Sequence, residues 1–181
     1  HNAITYDNGV GQPLNSISAK GDVTDFINQR DFKLAAGDAT TAYGSAISKA
    51  KRKIIYINPE TFIVIDDLAT SGGKYEFEYW LNTLGDISFY DNNKGATIVD
   101  DHASMEVRAH YPENMKPHYI DFFAGPDLTP VPAPTVAQNA TDKRLYFQTE
   151  KTDATKIVTT LDIHRTGERV RNIKEENYLN P

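Results

Sequence analysis

Cysteine is absent from this 181-residue sequence. That excludes a disulfide framework and thiol chemistry, while leaving the compartment open, because exported bacterial proteins also go without it. Long apolar runs are missing as well. The longest, Ile54-Ile55-Tyr56-Ile57 and Phe62-Ile63-Val64-Ile65, fall far short of the ~20 residues that span a bilayer, so no membrane partner is expected. Positive charge is in short supply: 19 Lys and Arg against 25 Asp and Glu give a net charge of −6. A nucleic-acid binder needs a broad basic face, so no nucleic acid is expected either, and any polyanion would need a local basic site. There is no Gly-rich phosphate loop, no His-Glu-x-x-His and no Gly-x-Ser-x-Gly elbow, which removes support for kinase, zincin and hydrolase readings. The sequence opens on His1 rather than Met, with no charged-then-apolar leader before it. The opening is therefore read as a cut rather than a native start.

What remains is ordinary for a globular domain: 39% hydrophobic and 24% charged residues, with ten Tyr and eight Phe that favour strands. A chain of this size buries roughly 70% of its unfolded surface, enough for a core without metal or disulfide. Short or alternating apolar runs recur at intervals of about ten residues with turn signals between them, the pattern of a sandwich or barrel. The expected fold is all-β, an antiparallel β-sandwich with little helix. Strands are predicted over residues 3–6, 23–28, 32–36, 53–57, 62–68, 75–82, 96–100, 104–110, 119–123, 144–148, 156–162 and 170–173. Asn8-Gly9, Gly72-Gly73 and Lys94-Gly95 can supply the positive φ of tight reversals. Residues 53–67 read as a hairpin around Asn58-Pro59-Glu60, in which the continuous apolar run 62–65 suits a central strand covered on both sides. Helix is plausible only over 40–51, where Gly44 weakens it. Prolines at 126, 130, 132 and 134 mark an extended loop. The organisation is then a main sandwich region over 1–125, a proline-rich loop over 126–142, and C-terminal strands over 143–181 that complete the sandwich or form a small subdomain. The core is expected to draw on Ile55, Ile57, Phe62, Val64, Phe77 and Tyr79.

Several residues could carry chemistry. An imidazole at His1 suits a metal ligand or general base by its near-neutral pKa, although metal sites need three or four converging ligands and an ordinary terminal His is the plainer reading. Asp100-Asp101-His102, His110 and His118 show no recognised ligand spacing. Asp66-Asp67 could bind calcium, but a strand end explains the pair as well, and no role is assigned to it. Lys49, Lys51, Arg52 and Lys53 form the densest basic cluster, with Arg165, Arg169 and Arg171 a second. Either can meet the sulfates or carboxylates of an acidic polysaccharide, and either can be a solvated strand edge that resists aggregation. In a strand over 75–82, Tyr75, Phe77 and Tyr79 share one face, suited to the core, and Trp80 shares the other with Glu76 and Glu78 near solvent. Trp80, with Lys51 and Arg52, is thus the candidate for substrate binding; a position at the rim of the core is the competing reading for the tryptophan.

Four blocks in order, "HNAITYDNGVGQ", "GDATTAY", "KRKIIYINPETFIVIDDL" and "YEFEYWLNT", resemble the β-sandwich region of the heparinase II/III-like polysaccharide lyases. In that family a His-Asn dipeptide begins a strand ending in an Asp and Gly turn, an Asp and Tyr block follows, and an Arg-containing strand leads into an apolar strand ending in Asp-Asp. The resemblance runs from His1 to about Asn82, and Ala3 departs from the hydroxyl residue expected after His-Asn. It implies an enzyme that removes the C5 proton of a uronic acid and expels the 4-linked sugar. It also implies an N-terminal α/α toroid carrying most catalytic groups, a further His in the sandwich upstream of the His-Asn motif, and a bacterial secreted or periplasmic location. The family's His-Asn histidine is similar to His1, which by motif would ligate a zinc ion in the full-length enzyme together with a His and an Asp upstream. No catalytic residue is assigned within this chain, and the isolated chain is expected to be inactive. Two other classes compete: a non-catalytic carbohydrate-binding or structural module, and a copper polysaccharide monooxygenase built on an N-terminal His, which requires a second His and a processed terminus.

Overall fold

The computed structural model describes residues 2–13, 16–57, 59–90, 94–120 and 143–167. In chain order the elements are β1 (Ile4–Tyr6), β2 (Asp22–Asn28), β3 (Phe32–Asp38), a 3₁₀ turn (Thr40–Tyr43), β4 (Ile47–Ile57), β5 (Thr61–Thr70), β6 (Phe77–Thr83), β7 (Asp86–Tyr90), β8 (Gly95–Val99), β9 (Ala103–Tyr111), β10 (Lys116–Ile120), β11 (Lys143–Gln148) and β12 (Ala154–Arg165). They form two antiparallel sheets, a small one in the order β1-β6-β11-β10 and a large one in the order β2-β3-β4-β5-β12-β9-β8-β7. This is the all-β sandwich that the recurrent short apolar runs predict. Strands β11 and β12 are interior members of the small and the large sheet, so residues 143–165 belong to the sandwich rather than to a unit beside it.

The core lies between the sheets. Ile4, Phe77, Tyr79, Leu81, Leu145 and Phe147 come from the small sheet, and Val64, Leu68, Ile98, Val107 and Ile157 from the large one. Each fully buried side chain of this kind stabilises the fold by about 1.5–3 kcal/mol relative to exposure. Val64, Phe77 and Tyr79 are buried as expected, but Ile55 and Ile57 are not core residues. The register Ile54↔Val64 puts Ile54 on the inner face of β4 and turns Ile55 and Ile57 outward, leaving Ile57 exposed and Ile55 and Phe62 half-buried. The run 62–65 is therefore central in its sheet, yet its odd residues are only half covered. A continuous apolar sequence does not declare which alternate residue faces in.

Other expectations need correction. Only Thr40–Tyr43 is helical within 40–51, because Asp38 accepts the Thr40 N–H at 3.0 Å to start the turn and Gly44, at φ 69°, ends it; β4 already begins at Ile47. Asn8-Gly9 and Gly73 do adopt positive φ, whereas Gly95 does not. Gly95 is small for another reason: a Cβ there would collide with the Tyr90 ring. Strand β7 had no sequence signal beyond its aromatic end; it is a short edge strand with much of its surface exposed, so alternation is weak. Pro117 sits in β10, the opposite edge of the small sheet from β1, where a missing N–H is tolerated. The proline-rich loop and the predicted strand over 170–173 lie outside the described residues.

Candidate functional site

The edge strand β1 follows directly on His1-Asn2, and the large sheet holds it in place. Tyr43, at the end of the 3₁₀ turn, donates its Oη–H to the Ile4 carbonyl at 2.8 Å. Arg52 Nη1 donates to the Asn2 carbonyl at 3.0 Å. Beyond β1 the chain reverses through Asp7, Asn8 and Gly9, all at positive φ, and Val10 exchanges two backbone hydrogen bonds with Tyr6 at 2.8 and 2.9 Å. Carbonyls occupied in this way do not invite a further strand.

Arg52 is itself fixed by Asp66, its cross-strand partner, through Nε to Oδ1 at 2.6 Å and Nη2 to Oδ2 at 3.1 Å. Asp66 is buried, and the guanidinium lies 5.5 Å from the centre of the Tyr79 ring. Burial raises the Asp66 carboxyl above its ordinary value, with Arg52 opposing. Burial also opposes the charge on Arg52, but hydrogen bonding and attraction to Asp66 outweigh it and hold the proton more firmly than usual. Burial pushes the Tyr79 phenol up to about 12, and Tyr43 also rises, each opposed by the nearby Arg52. Both phenols are therefore protonated at neutral pH. A cleft of about 330 Å³ opens over this group, lined by Asn2, Val23, Asp38, Lys51 and Arg52 among others. Along the cleft Asp38 pairs with Lys51 and Asp66 with Arg52, and the Tyr43 phenol is protonated, an arrangement that braces β1; Asp22, also at its wall, is exposed.

The predicted site residues are thus dispersed. Arg52 points inward and its charge is balanced by Asp66, whereas Lys51 points outward to a surface pair with Asp38 at 3.1 Å. Asp66 and Asp67 face opposite ways; Asp67 bridges Lys49 at 3.2 Å and Lys156 at 3.0 Å on the outer face. Trp80 does share the even face of β6 with Glu78, but both are buried, which corrects the solvent-facing reading. Trp80 stacks on Tyr146 at 4.1 Å, and Tyr146 on His118 at 4.5 Å, a three-ring row across β6, β11 and β10. The Trp80 Nε1–H donates to Thr5 Oγ1 at 2.6 Å. Glu78 accepts from the Asn8 and Gly9 amides at 2.8 and 3.0 Å and from the Thr5 hydroxyl. Sequence reasoning missed this carboxylate. Its signal was a Glu on a strand facing an Asn-Gly turn, legible only once β1 is paired with β6.

His110 bonds Thr160 in the large sheet while His118 stacks in the small one, so the two do not converge. Among the described residues no three His, Cys, Asp or Glu side chains come together to hold a metal. His1 lies outside those residues, and the described ones by themselves do not fit a zinc or copper site. Among them, no helix is long and apolar enough to cross a membrane.

No family model matches the sequence, and no curated protein sequence matches it significantly. Solved structures do match in fold. The heparan sulfate lyase HepC from Pedobacter heparinus superposes with a TM-score of 0.69 at 11% identity, covering 93% of this chain and 25% of that one. A heparinase III gene product gives 0.67 at 14% identity over 91% of this chain and 24% of its own. A further heparinase III gives 0.62 at 13% identity over 90% and 23%. The chain therefore has the fold of one region of these proteins and spans about a quarter of their length.

Proposed function

We propose that this chain is the C-terminal β-sandwich of a heparinase II/III-like polysaccharide lyase that cleaves an acidic, uronate-containing polysaccharide by β-elimination. The observation that carries the reading is the fold match over nine-tenths of the chain to about a quarter of each heparinase structure, in agreement with the order of the four sequence blocks. An N-terminal α/α toroid of the same polypeptide is the partner. β-Elimination requires neutralisation of the uronate carboxylate to acidify C5, a base at C5 and an acid at the departing oxygen. The toroid and the upstream sandwich histidine supply the base and acid, since the paired groups around Arg52 offer neither. This chain's part is to hold β1, and with it the His1-Asn2 segment, against the large sheet through Arg52, Asp66 and Tyr43. In the full-length enzyme a zinc bound at His1 would brace the sandwich beside the reacting sugar. The exposed Lys51 and Lys53 face polyanions better than Arg52 does. A polymer substrate of this kind places the enzyme outside the cytoplasm, secreted or in the periplasm.

A second reading, a non-catalytic binding or structural module, is favoured by the pairing of Arg52 with Asp66 and of Lys51 with Asp38 along the cleft. The full-length polypeptide incubated with heparan sulfate and with alginate separates the two. A lyase leaves products with a C4=C5 double bond at the new non-reducing end, and a binding module leaves both polymers intact.

A further inference from the structure

Among the described residues the large sheet has eight strands against four in the small one, and side-chain exposure records where its described cover ends. One cross-strand row on the inner face runs Val64, Ile54, Ala35, Phe26. Along it exposure climbs from 5% at Val64 to 39% at Ile54 and 67% at Phe26. The register shift between Val23 and Asp25 turns Val23 to the same face as Phe26, and Val23 is 80% exposed at the wall of the cleft that Asn2 and Arg52 also line. Among the described residues strand β2 pairs with β3 alone, and its other edge has no partner strand there. It has neither Lys nor Pro, and its edge protection is limited to Asp22, Asp25 and the bulge at Thr24. An apolar row that continues a core and ends beside such an edge is a surface suited to being covered.

The geometry points to this face, Val23, Phe26 and Ile54 with that edge of β2, as the surface on which an apolar segment of the remaining polypeptide docks. The inference rests on the reading of the chain as one domain of a larger lyase. Comparable enzymes hold about three quarters of their length outside the matched region, and domains of one chain cover part of each other's surface where they meet. On the β1 side the edge carbonyls of Asn2 and Ile4 are already occupied by Arg52 and Tyr43. The β2 side offers apolar area and, among the described residues, a strand edge without a partner strand. A second copy of this chain fits less well. Antiparallel self-pairing of β2 about its middle sets Asp25 against Asp25, and like charges directly opposite are destabilising.

Hydrogen exchange of residues 22–28 in the full-length polypeptide and in the 181-residue chain tests the assignment. Burial of the face should slow these amides on the order of tenfold or more in the full-length protein. Phe26→Asp in that protein should return them to the rate of the shorter chain. Equal exchange in both proteins overturns the proposal. So does a dimer of the 181-residue chain that protects residues 22–28 and is dispersed by Phe26→Asp, since the surface would then belong to a second copy. Turnover measured in parallel keeps the two readings apart: lyase activity with an unprotected β2 sinks the docking surface alone, while a protected β2 without activity supports docking and sinks the lyase reading alone.

Discussion

Deleting the Asp66 carboxylate tests whether the bidentate pair under β1 is a structural brace. In Asp66→Ala the Arg52 guanidinium keeps one named acceptor, the Asn2 carbonyl, and stays charged because its proton is not released near neutrality. Breaking a buried pair by removing one partner costs about 3–5 kcal/mol. Arg52 retains 28% side-chain exposure against 3% for Asp66, so water reaches one side of the stranded cation and the lower end, about 3 kcal/mol, is expected. Arg52→Ala strands the other partner, and here pH decides the cost. Burial already raises the Asp66 carboxyl. Such a group favours the fold below its unfolded pKa, and the benefit is lost as pH rises through the folded value. The Arg52→Ala loss should therefore be greatest near neutrality and shrink on acidification as the stranded carboxyl takes up a proton. Urea unfolding followed by the fluorescence of Trp80, the only tryptophan and hydrogen-bonded to Thr5 of β1, measures both. A loss below about 1 kcal/mol for Asp66→Ala, or an Arg52→Ala loss that does not shrink on acidification, refutes the brace.

Other outcomes follow from the same packing. Phe77→Ala, at a side chain 1% exposed, should cost ~3–5 kcal/mol in the same assay, whereas Lys51→Ala should stay within about 0.5 kcal/mol; equal losses would mean that the faces are misassigned. Glu78→Gln replaces an acceptor by a donor facing the Asn8 and Gly9 amides, so a loss of about 1–3 kcal/mol with a shift in Trp80 emission is expected. Hydrogen bonds from Thr40, with Lys51 adding to them, lower Asp38 from 3.8 to about 2. Its contribution is present above the unfolded value and is lost as pH falls from 3.8 through about 2, a decline that Asp38→Asn should flatten in a pH series of unfolding curves.

The sandwich was legible because periodicity and turn residues repeat along most of the chain. The faces were less so. In β6 the aromatic alternation Tyr75, Phe77, Tyr79 fixed the inner side correctly, yet in β4 the unbroken Ile54-Ile55-Tyr56-Ile57 gave no alternation to read, and Ile55 and Ile57 went to the wrong side. Burial of Trp80 and Glu78 on the outer side of β6 was invisible for a different reason. It depends on β11 lying alongside, more than sixty residues later, with Tyr146 set against the indole. Arg52 illustrates the limit for site residues: a basic run marks charge density, but only the pairing of β4 with β5 reveals that one of its members is balanced by Asp66.

The central claim is that this chain is the sandwich of a lyase whose acid and base lie elsewhere in the polypeptide. Its most direct test is the ultraviolet absorbance of unsaturated uronate when the purified 181-residue chain, shown to be folded by its strand-type circular dichroism, is incubated with heparan sulfate or alginate. A folded chain with no rise in absorbance, beside a full-length polypeptide that gives one, is the predicted result. Turnover by the 181-residue chain alone, abolished by His1→Ala, would contradict the account and make His1 a catalyst rather than a structural ligand.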